Sequence, residues 1–141
     1  VSAGPAVAVA VTFVWLGMVV AISFLEAPLK FRAPDVTLPI GLGIGRLVFR
    51  ALNTAEVSFT LVIGVIIASQ PPPVGVIGAF VLAFAMLALQ LVVVRPRLNL
   101  RSDKVLAGHQ GPRSRAHYAY VGLEAIKAIA LIVAGILLLS S

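Results

Sequence analysis

The 141-residue chain has no cysteine, which excludes a disulfide framework, a thiol nucleophile and a thiolate metal site. Charge is nearly as scarce. Asp, Glu, Lys and Arg make up 11% of the residues, and only five of them are acids; ordinary globular domains carry about 25%. Two histidines and one tryptophan leave few groups for acid–base or stacking chemistry. Hydrocarbon fills the remainder: 60% of the residues are apolar and the mean hydropathy is +1.09. A water-soluble domain of this size cannot bury so much apolar surface. Composition thus excludes a soluble enzyme, a disordered tail and a nucleic-acid-binding module.

Four apolar runs stand out, at about 6–25, 47–69, 74–94 and 118–139. Each is long enough to cross about 30 Å of hydrocarbon at about 1.5 Å per residue. Backbone groups in lipid must be satisfied internally, so runs of this length are helices, because barrel strands are about half as long. The first run has no charge and no positive leader, and ends in Leu25-Glu26-Ala27-Pro28 with no A-x-A site there; it reads as a retained helix rather than a cleaved signal. The third contains Gln90 as its one strongly polar residue. The predicted fold is all-α: a single transmembrane domain over 1–141, built as a bundle of four transmembrane helices.

Charge asymmetry sets the predicted topology. Loop 27–46 holds Lys30, Arg32 and Arg46 against Asp35, and loop 95–117 holds Arg95, Arg97, Arg101, Lys104, Arg113 and Arg115 against Asp103. The turn Gln70-Pro71-Pro72-Pro73 and both chain ends carry no charged side chain. The positive-inside rule then places both basic loops in the cytoplasm and the termini outside. Arginine outnumbers lysine eight to three, pointing to a GC-rich bacterial genome and an inner-membrane location. The pI near 10.9 is accounted for by this orientation signal, which also meets anionic headgroups. Expected partners are membrane lipids and, beyond them, a second copy or a larger membrane complex; no nucleic acid is expected.

Within loop 27–46, Pro28, Pro34 and Pro39 limit regular helix, and Leu29 and Phe31 beside Lys30 and Arg32 suit a headgroup-level anchor. Alternatively, Thr37 and Pro39 open a helix that runs through Gly41, Gly43 and Gly45 into the second span. The glycines lack the strand and spacing of a phosphate-binding loop and fit close helix approach instead. Ala6/Ala10, Ala79/Ala83 and Ala130/Ala134 are read the same way.

Ionisable groups at depth are the candidates for function, because a charge near a helix centre costs about 2.5–3.5 kcal/mol on insertion scales and usually pairs inside the bundle. Glu56 lies six residues beyond Arg50, and Glu124 six beyond Tyr118, with Lys127 one turn later. The second and fourth spans run in the same direction, so Glu56, Glu124 and Lys127 share a depth, and Lys127 is predicted to bridge one or both acids. Arg50 reaches headgroups or pairs with Glu26. Arg46, Arg50 and Asn53 form one stripe, and His117, Tyr120 and Glu124 another. Together these nine residues outline a polar chamber at the cytoplasmic end under an apolar cap. Three roles fit it: handling a small molecule or ion, or serving in a membrane assembly, without catalysis; acid–base catalysis on a lipidic substrate by a carboxyl beside His117; or an ion-pair network that fixes helix register. The first is preferred. His109, His117, Met18 and Met86 lack metal-ligand spacing, so no metal and no cofactor is expected.

Three short motifs add a resemblance: Ala27-Pro28-Leu29-Lys30-Phe31 after the first span, Arg95-Pro96-Arg97-Leu98-Asn99-Leu100-Arg101 after the third, and His117 opening the fourth. In architecture and in these motifs the chain resembles the small four-helix membrane proteins related to transmembrane protein 205. Glu124 departs from that pattern, which has an amide such as Asn there. The resemblance implies the fold, and the link of some members to drug or metal tolerance implies transport or membrane homeostasis.

Overall fold

The computed structural model describes residues 3–108 and 115–141. Among them there is no strand. Four long helices make up the chain: α1 (Ala3–Arg32), α2 (Leu38–Ser69), α3 (Val74–Leu106) and α4 (Arg115–Ser140). All four are long and apolar enough to cross a membrane, and the protein is a multi-pass membrane protein. Leu47, Val65 and Val92 are each about 70% exposed or more, a surface stable against acyl chains and not against water.

The helices outrun the expected spans. α2 starts at Leu38 rather than near 47: the Thr37 hydroxyl accepts from the Ile40 amide at 3.4 Å, and Pro39 occupies the first turn, where its missing N–H costs nothing. α1 and α3 continue through Pro28 and Pro96, so most of the two expected loops is helical. Both prolines are accommodated in the same way. A proline ring inside a helix removes one hydrogen bond and collides with the carbonyl four residues back, here Phe24 and Val92. Those carbonyls lie in two π-helical segments, Val20–Glu26 and Gln90–Val94. The Ala27 amide donates to the Ile22 carbonyl, and the Arg95 amide to that of Gln90. A helix that widens before each proline carries on past it.

α4 packs along α3 and α1, and α1 also packs along α2. α2 and α3 touch little in their membrane-spanning parts, and α2 instead meets the extension of α3 beyond Arg95. At the end that holds the termini and the proline turn, the core is apolar, with Trp15, Ile63, Phe80, Ala83, Leu131 and Ala134 buried. Phe80 stacks on Phe84, which stacks on Trp15 with ring centres 6.0 Å apart. Ala130 and Ala134 are buried, as their spacing predicts, but Ala6 and Ala10 are exposed and Ala8 is the buried alanine of α1. Close approach occurs at Gly41, where a Cβ would collide with the Phe31 ring, whereas Gly43 faces open space. The two prolines thus position everything that follows at the opposite, basic end.

Candidate functional site

The buried charges meet at the boundary between the apolar core and the basic end. Lys127 is fully buried, as are Glu56 and Glu124. Its ammonium forms ion pairs with Glu56 Oε2 and with Glu124 Oε1, the latter at 2.5 Å. A third bond runs from Lys127 Nζ to Gln90 Oε1 at 2.8 Å, which uses all three ammonium donors. Gln90 returns its amide to Glu124 Oε1 at 3.2 Å. Ser23 donates to Glu124 Oε2, and the Trp15 indole N–H donates to Glu56 Oε2 at 2.8 Å. One cation from α4 therefore ties α2, α3 and α4 together, while α1 adds Ser23 and Trp15.

Sequence reasoning placed Glu56, Glu124 and Lys127 at one depth and overlooked three of the partners. Ser23 and Gln90 lie inside the two π segments, a geometry found often at functional sites. Trp15 sits on a helix so apolar that nothing marks its N–H as a ligand for a carboxylate. The signal available for Ser23 and Gln90 was each residue's place shortly before a proline. With both acids ionised the cluster carries one more negative than positive charge. Glu56 Oε1 has no hydrogen-bond partner among the described residues.

Above the cluster, toward the basic end, lies a cavity of about 400 Å³. Glu124 and Ser23 line it, Phe24, Phe31, Phe49 and Tyr120 supply aromatic wall, and Lys30, Arg46, Arg95 and His117 supply the basic groups. The stripe of His117, Tyr120 and Glu124 thus faces one chamber. Arg46 bonds Asp103 at 2.6 Å, joining α2 to the extension of α3. Tyr120 packs edge-on to Phe49 at 5.6 Å, and its hydroxyl is buried beside Arg95.

The other expected stripe separates from this chamber. Arg50 and Asn53 line a second cleft of about 680 Å³ between α2 and α3, which Arg46 and Arg95 also reach. The expected pairing of Arg50 with Glu26 does not form: Arg50 is exposed on α2, and Glu26 instead faces Lys30 one turn along α1 at 3.8 Å. Continuation of α1 as helix past Glu26 puts Lys30 one turn away on the same side of that helix. Among the described residues no group of three His, Asp or Glu is placed to hold a metal; His109 and Arg113 lie outside them.

In comparisons with known proteins, no family model, no curated protein and no solved structure matches this chain.

Proposed function

We propose that this chain is a non-catalytic protein of a bacterial inner membrane whose 400 Å³ chamber holds a small amphiphilic molecule entering from the cytoplasmic side. In this reading the termini and the proline turn are outside, as the distribution of Lys and Arg requires. The observation that carries the binding role is a chamber with aromatic walls and a fixed polar floor. A few converging polar groups in a mostly apolar cavity are the usual features of a ligand site. Ion-pairing for register alone would account for the triad, but not for the space above it. Drug or metal tolerance in the transmembrane protein 205 family, which the chain resembles, favours the same direction.

The shared lining of His117 and Glu124 favours a second reading, acid–base catalysis on a lipidic substrate. Both Glu124 oxygens are already engaged, one by Lys127 and Gln90 and the other by Ser23. A carboxyl held by three partners is better suited to shaping a site than to passing protons, so binding is preferred. A role as subunit of a homo-oligomer or larger membrane assembly is compatible with the same chamber.

The test is native mass spectrometry of the protein released gently from membranes, compared with Ala27→Trp, which fills the chamber from α1. The wild type is expected to retain a small-molecule adduct that the variant loses while keeping its thermal stability. An adduct carried equally by both, or by neither, refutes the reading.

A further inference from the structure

Three of the basic groups around the chamber differ in one respect. Lys30 has Glu26 and Arg46 has Asp103. Arg95 forms no ion pair with an acid among the described residues, and its Nε and Nη2 atoms are buried without a hydrogen-bond partner. These two nitrogens make up one edge of the guanidinium, with parallel N–H bonds in the fork that a phosphate or carboxylate accepts bidentately. The group is held against aromatic rings: its Cζ lies 4.8 Å from the Tyr120 ring centre and 5.2 Å from that of Phe49. Cation–π attraction to these rings and burial beside them strengthen whatever the edge binds. Arginine stays charged at any physiological pH, so it cannot relieve its burial by losing a proton.

We propose that Arg95 anchors an oxyanion, the phosphate of an amphiphile whose apolar part lies along Phe24, Phe31 and Leu98 in the same cavity. This rests on the chamber being a binding site, and it adds the chemical class of the ligand. The Tyr120 hydroxyl, buried beside the guanidinium, supplies a further donor. Lys127 pairs with Glu124 at the floor, which reduces the repulsion between that carboxylate and the anion. Arg95 stands five residues after Gln90 and follows the π segment at once, which carries it to the chamber wall. A lipid headgroup and a soluble phosphate offer the same oxyanion, and the probes below separate them.

Delipidated protein in dodecyl maltoside is titrated with dioleoyl phosphatidylglycerol, with dioleoylglycerol of the same chains, and with inorganic phosphate, and binding is read by native mass spectrometry. Wild type is expected to bind one phosphatidylglycerol, and dioleoylglycerol about tenfold or more weakly, as expected for loss of charge-assisted hydrogen bonds. Arg95→Gln is expected to lose that preference and Arg95→Lys to keep only part of it, since an ammonium cannot offer a fork. Arg97→Gln, on the exposed side of α3, serves as the control and is expected to match wild type. Binding of inorganic phosphate that is as tight as that of phosphatidylglycerol and lost in Arg95→Gln supports the oxyanion anchor with a soluble source. Equal binding of phosphatidylglycerol and dioleoylglycerol, both abolished by Ala27→Trp, overturns the anchor and leaves the chamber standing. If no probe binds the wild type, or if Arg95→Gln binds as the wild type does, the anchor is likewise refuted. Unchanged thermal unfolding of Arg95→Gln certifies its fold.

Discussion

Replacing Lys127 by Met tests the physical account of the buried cluster most directly. The ammonium sits 2.5 Å from Glu124 Oε1 and also contacts the Glu56 carboxylate. At an effective dielectric of about 20, one unit-charge pair at that distance attracts by about 7 kcal/mol before the cost of desolvation is subtracted. The variant keeps an unbranched side chain, one atom shorter, and removes the cation, leaving two carboxylates fully buried and facing each other. Removing one partner of a buried ion pair costs about 3–5 kcal/mol, a large share of a typical folding free energy of about 5–15 kcal/mol. Glu56→Gln removes the surplus negative charge and leaves the Lys127–Glu124 pair intact, so its cost is expected to be far smaller. Combining Glu56→Gln, Glu124→Gln and Lys127→Met removes every charge and is expected to recover most of the loss, because the interaction is shared and not additive. The assay is unfolding by sodium dodecyl sulfate in dodecyl maltoside micelles, followed by the fluorescence of Trp15. This is the only tryptophan of the chain, and its indole N–H bonds Glu56, so the signal reports on the cluster itself. A Lys127→Met protein that unfolds at the wild-type midpoint, or a triple variant no better than the single, refutes the reasoning.

Trp15→Phe removes the indole donor and is expected to cost about 1.5–3 kcal/mol, as for a hydrogen bond to a charged group; thermal denaturation should show a smaller cost in a Glu56→Gln background. Gly41→Ala drives a Cβ into the Phe31 ring and is expected to destabilise by about 1–3 kcal/mol, with relief on adding Phe31→Ala. At Gly43, where nothing lies within 4 Å, Ala is expected to raise the melting temperature through helix propensity worth about 1 kcal/mol. The absence of cysteine permits clean single-cysteine labelling in cells: Ala33→Cys is expected to react with an impermeant reagent only after permeabilisation, and Ser140→Cys before it. The reverse pattern refutes the topology.

The four spans were legible because their lengths and composition leave a helix crossing lipid as the one economical solution. Glu56, Glu124 and Lys127 were legible as a meeting point from depth alone, since α2 and α4 run in the same direction. Rotation about the helix axis was not. Depth says nothing about which way a side chain points, so Ser23 and Trp15 passed as ordinary span residues, and Gln90, the one strongly polar residue of its run, was given no partner. Arg95 was read as one more loop charge because the apolar run gives way to basic residues after Val94, whereas α3 continues as helix to Leu106. The same reasoning misplaced Arg50, whose pairing with Glu26 assumed that α1 ends there. Ala6 and Ala10 failed for the converse reason: four-residue spacing marks a face, and only the neighbours decide whether anything covers it.

The two π segments have one more consequence. An α-helix advances about 100° per residue, and a π bulge holds one residue beyond the α count, so each segment acts as a phase shift along its own helix. Residues after it occupy sides that an uninterrupted screw would turn elsewhere, and Phe31 and Arg95 reach the chamber by that offset. Deleting a single residue within 20–26 or 90–94 would restore the α count and leave the distal portion facing as it does, but would return the following proline ring to its clash with the carbonyl four residues back. A deletion elsewhere along either helix would instead swing everything beyond it by about 100° and change which side chains face the ligand space.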